Sequence, residues 1–577
     1  MRPTTLLLSV AALPALSLAQ NSDAPAASSP GPVADYTVRI DDVSSGLVHV
    51  ELELSGLDPL APHFPRLALP ERFAFATLDE PRLVGDIEAS RPDGGPATLT
   101  PINPWQWDLL VGEATRVDLS WTVPLDHRSL PEFRRDEYEA PYLAADHGML
   151  VGGALFIAPV VPAPSQIRVS FELPDGWDLT APWPKDEHGR HAPSQLRFLH
   201  NDLIAVGAWE VESTTIGDFR LDLAFAPGQD QLREMLTPRI PPIIAAELEL
   251  FGCLPNERYL FLFVDPQPGG YGGSPKSNSM TLFVSPDLPT EFAARGAEHL
   301  IAHEYYHTWA MARCEMPDEL RFVHEGFTDW YAYLVPWRLG MSTDAEFTAK
   351  LIEKMGEHEG AQARFGGSLV AAGGPVFFKG GDAYAATYAG GLVIAALCDL
   401  GLRRDPDGPN LDQLMRELIE DPRWRDGADP TFSDFLGLIE QHGGEDLRRI
   451  VRHLATHEGR PDLVAAFAEV DVTLESSVTQ VALDLRTNFT GTRVDAIDPR
   501  GCGALVGLRS GDVVREVNGQ PVEDEAAVRA AFREPIEGRL RLLVERPGEL
   551  EKVVIDVPIP TETTYTLPRD IADRLRD

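Results

Sequence analysis

His303-Glu304-Tyr305-Tyr306-His307 decides how this chain is read, and the residues around it, 293–309, read as one helix. A helix advances ~3.6 residues per turn, so two histidines four apart project from one face and can grip one ion. Glu304 sits beside the first histidine, where a carboxylate can take a proton from water at a metal. Eighteen positions after His307 comes Glu325, in Phe322-Val323-His324-Glu325-Gly326-Phe327-Thr328-Asp329-Trp330-Tyr331, which reads as a second helix. A catalytic zinc wants three protein ligands and an open position, and His303, His307 and Glu325 meet that need for one ion. Asp329 falls one turn after Glu325 on the same face. It is either a hydrogen-bond acceptor for the free ring nitrogen of a ligand histidine or a solvated helix charge.

Two further histidines compete for the ion and are set aside. His299 and His307 are eight residues apart, ~12 Å along a helix axis, too far to share one ion through ~2 Å bonds. His299 is expected to pack, or to partner a nearby carboxylate. His324 precedes Glu325 directly, points about 100° away from it, and is not expected to be a ligand.

The strings HEYYHTWA (303–310) and HEGFTDWYAYL (324–334) together resemble the glycyl-aminopeptidase family of gluzincin metallopeptidases. That resemblance implies a multidomain α+β chain: an N-terminal β-sandwich-like domain, a mainly helical thermolysin-like catalytic domain and a C-terminal PDZ domain. It spans residues from about 35 to about 560. It also implies removal of small N-terminal residues such as Gly or Ala from peptide or protein substrates.

Two places depart from the family's pattern. Its members carry a glutamate after paired glycines, as an anchor for the substrate's free amine; here Gly272-Gly273 is followed by Ser274-Pro275-Lys276, with Pro275 where that carboxylate would stand. Gly272, Gly273 and Ser274 remain the candidate substrate-binding strand, since an edge strand before the zinc helix pairs with a substrate backbone. Lys276 either meets a carboxylate or is a solvated loop lysine. Members also show a Tyr-x-Lys-Gly string; Tyr388-Ala389-Gly390-Gly391 keeps the tyrosine and the glycine but not the lysine. Tyr388 is the candidate donor to the tetrahedral oxyanion, a role that suits a neutral, directional phenol, with Tyr384 as the fallback.

At 577 residues the chain is too long for one core. Residues 1–19, with Arg2 before an apolar run from Leu6 to Leu18, read as a secretory signal, which makes the protein exported, periplasmic or extracellular. Ser9 and Pro14 interrupt that run, and no other stretch is expected to span a bilayer. Residues 20–34 read as a disordered linker, 35–230 as the β domain, 238–475 as the catalytic domain, 480–560 as the PDZ domain and 561–577 as a loose polar tail. In the β domain, runs such as 36–40, 48–54, 167–173 and 219–225 alternate apolar and polar residues. Adjacent pairs Asp126-His127 and Asp146-His147 read as loop residues without a catalytic role.

Fifty basic against 89 acidic residues give a formal charge of −39, which repels phosphate backbones and anionic lipid, so neither nucleic acid nor a membrane surface is an expected partner. Cys253, Cys314, Cys398 and Cys502 lack metal-ligand spacing, and one or two disulfides are open in an exported protein. Residues 491–497 and 504–522, with Asn518-Gly519 between strand runs and a helix over 523–532, resemble a PDZ domain. Its groove either takes an extended peptide ligand by strand addition or merely packs on the catalytic body. Three readings follow: an aminopeptidase, an endopeptidase lacking the amine anchor, and a PDZ-based peptide binder with an idle metal site.

Overall fold

The computed structural model describes residues 31–576 except 61–64, 71, 74–75, 78–83, 131–136, 253–256, 266–269, 286–287, 289, 310–316, 407, 422–429, 481–486, 498–505, 533–538, 550 and 559–560. The signal reading, most of the linker, and Cys253, Cys314 and Cys502 lie outside the described residues; Cys398 is a buried free thiol. Strand β1 (Val33–Arg39) begins inside the expected linker, because Ala34 alternates with Tyr36 and Val38 into the core. It lies between β2 (Leu47–Ser55) and β5 (Gln166–Glu172) in a five-stranded sheet completed by β3 (Glu88–Ser90) and β4 (Arg116–Pro124), in the order β5-β1-β2-β4-β3. Two four-stranded sheets contribute to the same apolar core, which makes the N-terminal part the sheet-rich body expected.

The next sheet is where the expected boundary at residue 230 fails. Strands β6 (Glu210–Ile216) and β7 (Phe219–Phe225) join β8 (Arg258–Phe263), β9 (Tyr271–Pro275) and β10 (Ser279–Val284) in the order β6-β7-β8-β10-β9. The 219–225 run therefore belongs to the catalytic sheet. Its alternation was legible but its partner was not: β7 pairs in parallel with β8, which lies beyond two intervening helices. Successive residues face opposite sides of a strand. Thus Phe219, Leu221, Leu223, Tyr259, Phe261 and Phe263 enter the helical core, whereas Ala224, Leu260 and Leu262 enter the N-terminal core. A sheet covered on both faces needs such near-continuous apolar strands. It also welds the two domains together. Strand β9 runs antiparallel to β10 and forms the sheet's edge.

Helices α1 (Ile240–Phe251), α2 (Thr290–Tyr306), α3 (Arg321–Arg338), α4 (Asp344–Phe365) and α5 (Asp382–Leu402) build the catalytic core. Helix α2 stops at Tyr306, short of the expected 309, and His307 stands in a tighter turn where Thr308 and Trp309 N–H donate to Tyr305 and Tyr306 carbonyls. Helix α5 starts ten residues before the apolar run at 392, which puts Tyr384 and Tyr388 on one helical face. By length and mean hydropathy α5 alone, among the described residues, is apolar enough to cross a membrane, contrary to expectation; it is instead the central helix of the core, with 89% of its most apolar window buried. Helices α3 and α5 cross where two glycines meet. A Cβ on Gly326 would stand 2.2 Å from Gly391 Cα, and one on Gly391 would stand 1.9 Å from the Phe322 carbonyl oxygen. This contact explains the glycine that follows Glu325 and the one three residues after Tyr388.

The PDZ region is a six-stranded sheet, with β12 (Thr487–Thr490), β13 (Arg493–Ile497), β14 (Val513–Val517), β15 (Arg539–Glu545) and β16 (Val553–Pro558) in that order and the short strand Gln520–Pro521 paired to β14, and the helix Glu525–Phe532. The loose-tail expectation fails. β17 (Thr561–Thr566) pairs antiparallel with β11 (Glu475–Gln480), so both ends of the PDZ region emerge from one two-stranded ribbon. Tyr565, Leu567, Ile571, Ala572 and Leu575 are buried in the catalytic core. Tyr565 and Thr563 hydroxyls donate to Glu359 on α4, and Arg576 pairs with Asp344. The tail is polar on average, but its apolar residues at 567, 571, 572 and 575 fall at near-helical spacing.

Candidate active site

His303 on α2, His307 in the turn after it and Glu325 on α3 converge. His303 Nε2 and His307 Nε2 are 3.2 Å apart, and Glu325 Oε2 lies 3.6 and 3.7 Å from them. Ligands ~2.1 Å from one tetrahedral ion stand about 3.4 Å from one another, so this donor set fits a zinc ion closely. Glu325 Oε2 is buried and makes no hydrogen bond, as a ligand atom awaiting a cation would. Both Glu304 oxygens are buried without a hydrogen-bond partner. Burial raises the Glu304 carboxyl to about 8, against the nearby His303 charge, so the group is poised to hold a proton.

Each ligand is steadied by a neighbour. Asp329 is no solvated helix charge: it is buried, and its Oδ1 lies 3.0 Å from His299 Nε2 and 3.4 Å from His303 Nδ1, within ion-pair distance of both rings. His299, His303 and Asp329 thus form a second cluster on the other ring nitrogen of His303, with His299 as the carboxylate's partner. Burial opposes charge on Asp329, yet Lys354 and His299 hold its carboxyl well below the usual range. His303, disfavoured by burial but facing the Asp329 and Glu325 carboxylates, rises to about 10. Sequence reasoning missed His324: it is no ligand, but its ring stacks on His307 at 4.3 Å and its Nδ1 lies 3.2 Å from Glu325 Oε1. Its spacing from His307 carries no periodic signal, because two separate helices bring them together.

Tyr388 reaches the same place. Its ring stacks with His303 at 5.7 Å and with Tyr384 at 4.6 Å, and its hydroxyl neighbours Glu325. Burial, then the negative charge of Glu325, keeps the phenol well above its ordinary value and hence neutral. Of the candidate substrate strand, Gly272, Gly273 and Ser274 all lie in β9, whose Tyr271 packs where a Cβ on Gly296 of α2 would otherwise sit. Ser274 is fully buried and its hydroxyl accepts from Lys276 Nζ at 2.8 Å. Lys276 is not a solvated loop lysine. Its Nζ also donates to Glu139 Oε1 at 3.2 Å, a fully buried carboxylate supplied by the N-terminal domain, and both charges are felt at Glu304. Glu139 had no motif to mark it. Asp146 and His147 likewise prove to be partners, with His147 close to Asp265 at the end of β8.

A paired-histidine and glutamate cluster beside a buried glutamate, set between a mixed sheet and crossing helices, defines a gluzincin-type metallopeptidase scaffold. Family models agree in series along the chain: the Peptidase M61 N-terminal domain at 35–203, M61 glycyl aminopeptidase at 297–379 and a PDZ domain at 493–546. The chain thus matches M61 family models over two stretches, the second described as M61 glycyl aminopeptidase, and a PDZ-domain model over a third. No curated protein sequence matches it. Among solved structures, an aminopeptidase N family protein from Idiomarina loihiensis is 16% identical, with 94% of this chain and 99% of that one covered and a TM-score of 0.69, a likeness of fold. An M1 zinc metallopeptidase from Deinococcus radiodurans is 14% identical over 75% of this chain and 95% of that one, with a TM-score of 0.45.

Proposed function

We propose that this protein is an exported zinc aminopeptidase that hydrolyses peptide bonds after small N-terminal residues, using one zinc ion held by His303, His307 and Glu325. The observation that carries the reading is the trio of donor atoms 3.2, 3.6 and 3.7 Å apart beside a buried Glu304 without a hydrogen bond. Zinc supplies Lewis acidity, which polarises a carbonyl and makes water nucleophilic near neutral pH. Glu304 accepts the proton of the attacking water and returns it to the leaving amine; its raised carboxyl suits both halves of that task. Tyr388 donates a hydrogen bond to the oxygen that gains charge. Asp329 fixes the His303 ring, and the edge of β9 aligns the substrate backbone as an added strand. Export rests on the signal-like composition of residues 1–19.

A second reading, cleavage without regard to a free amine, is favoured by one observation: Lys276 already pairs with Glu139 at the end of the strand where the family's amine anchor is replaced by Pro275. One experiment separates the two. Two peptides identical except for a free or an acetylated N-terminal Ala are incubated with the zinc-loaded protein, with and without chelator. Chelator-sensitive cleavage of the free peptide alone is the expected result. Equal cleavage of both selects the second reading, and cleavage of neither returns the protein to the peptide-binding class.

A further inference from the structure

We propose that Lys354 is a positioning residue for the metal centre, acting on His303 through Asp329. It stands on α4, a helix that no part of the zinc motif belongs to. That helix begins at a Thr343–Glu346 capping box, ends at Gly366 in the left-handed region with φ 77°, and is held at its far end by the tail's bonds to Glu359. Its ends are thus fixed by contacts of their own, beside those that Phe347 and Asp344 make with Trp337 of α3.

The carboxylate of Asp329 has two oxygens and more than two claimants. His299 and His303 both turn ring nitrogens to Oδ1, at 3.0 and 3.4 Å. The Lys354 ammonium faces the other oxygen, Oδ2, at 3.7 Å, and is itself held at 3.0 Å by Glu357 one turn along. Only 15% of the Lys354 side chain is exposed, and 5% of that of Asp329. Little water reaches the pair, so the attraction is screened far less than at a surface. Tyr333 closes the site by stacking on His299 at 4.1 Å. A carboxylate drawn from one side by a fixed cation cannot rotate away from the imidazoles on the other. Oδ1 therefore stays aimed at His303 Nδ1, 3.4 Å away, and Nε2 stays aimed at Glu325 and His307. Removing the ammonium leaves Asp329 free to turn toward His299 alone, the shorter of its two contacts.

Partners behind a ligand histidine are worth about 10- to 100-fold in metal affinity, and a group one step further back should fall at the lower end. The proposal rests on the zinc reading above, and zinc affinity, measured on the full chain by competition with a chromophoric chelator, tests both separately. Failure of the wild-type protein to bind zinc overturns the zinc reading. With wild-type binding intact, Lys354→Met and Lys354→Gln are each expected to bind zinc about tenfold more weakly, Lys354→Arg to recover most of that loss, and Lys350→Met, on the same helix beside Tyr333, to bind as wild type. The decisive comparison is a double-mutant cycle: Lys354→Met should weaken binding no further once Asp329→Asn is present, because its route is gone. A general loss of helix packing would lower affinity in both backgrounds alike. Wild-type affinity in both Lys354→Met and Lys354→Gln, or full additivity with Asp329→Asn, overturns the proposal.

Discussion

The two ends of the cleft are built on opposite plans. At the metal end each donor is backed by a group that leaves its lone pair aimed at a common point: Asp329 behind His303, His324 against both His307 and Glu325. At the strand end the charges close on each other, with Lys276 between Glu139 and Ser274. One end turns its donors toward a shared point, and the other pairs its carboxylate with a cation of the chain's own. The metal-end donors come from α2, the turn after it and α3, whereas Lys276 at the strand end is paired with a carboxylate contributed by a different domain, 137 residues away in sequence.

The sharpest way to break the metal end is to spoil its base while sparing its ligands. Glu304→Gln should keep zinc at one equivalent, read by metal analysis, while kcat falls about 10³-fold or more, as expected when a general acid–base is removed. Activity near wild type would dismantle the contrast, since the end taken to be catalytic would not be. Tyr388→Phe comes next: it removes one hydroxyl and should cost about 10²–10³ in kcat with little change in KM, the signature of a bond made in the transition state. Gly391→Ala tests how the two are brought together. Its new methyl group meets the Phe322 carbonyl, so α3 and α5 must part. Overpacking of this kind costs about 1–3 kcal/mol, visible in a urea melt, and should lower kcat through the Tyr388-to-Glu325 spacing.

The same contrast governs how much was legible in the sequence. His303 and His307 could be read because their spacing is a property of helices, a period of 3.6 that survives even though α2 ends one residue before His307, and Glu325 followed from a catalytic zinc's need for a third ligand. Asp329 followed from the same arithmetic. Tyr388 needed the family resemblance, since one tyrosine in an apolar run has no periodic mark. His324, Glu139 and Lys354 were not legible at all, because their roles arise where elements distant in sequence cross. The domain borders failed for a related reason. Alternation identifies a strand but not the sheet it joins, so β7 was assigned to the wrong body, and the apolar positions of a short C-terminal helix were hidden in a polar average.

The smallest expected change in turnover, a shift in a ratio of rates, bears most directly on the strand end. Lys276→Met takes the ammonium from a fully buried Glu139 and leaves that carboxylate one cation short. Breaking a buried pair from one side destabilises a fold, typically by about 3–5 kcal/mol, because a charge remains in a poor solvent. A substrate's own N-terminal ammonium can restore the balance, so the variant should favour the free peptide over its acetylated twin by about tenfold more than wild type does, with zinc content unchanged. Glu139→Gln added to Lys276→Met should erase that gain, since the amide offers no charge to the amine. If the ratio does not move in the single variant, or moves equally in the double, the Glu139–Lys276 pair serves only to join the N-terminal domain to the edge strand. Amine selection would then belong to another part of the cleft.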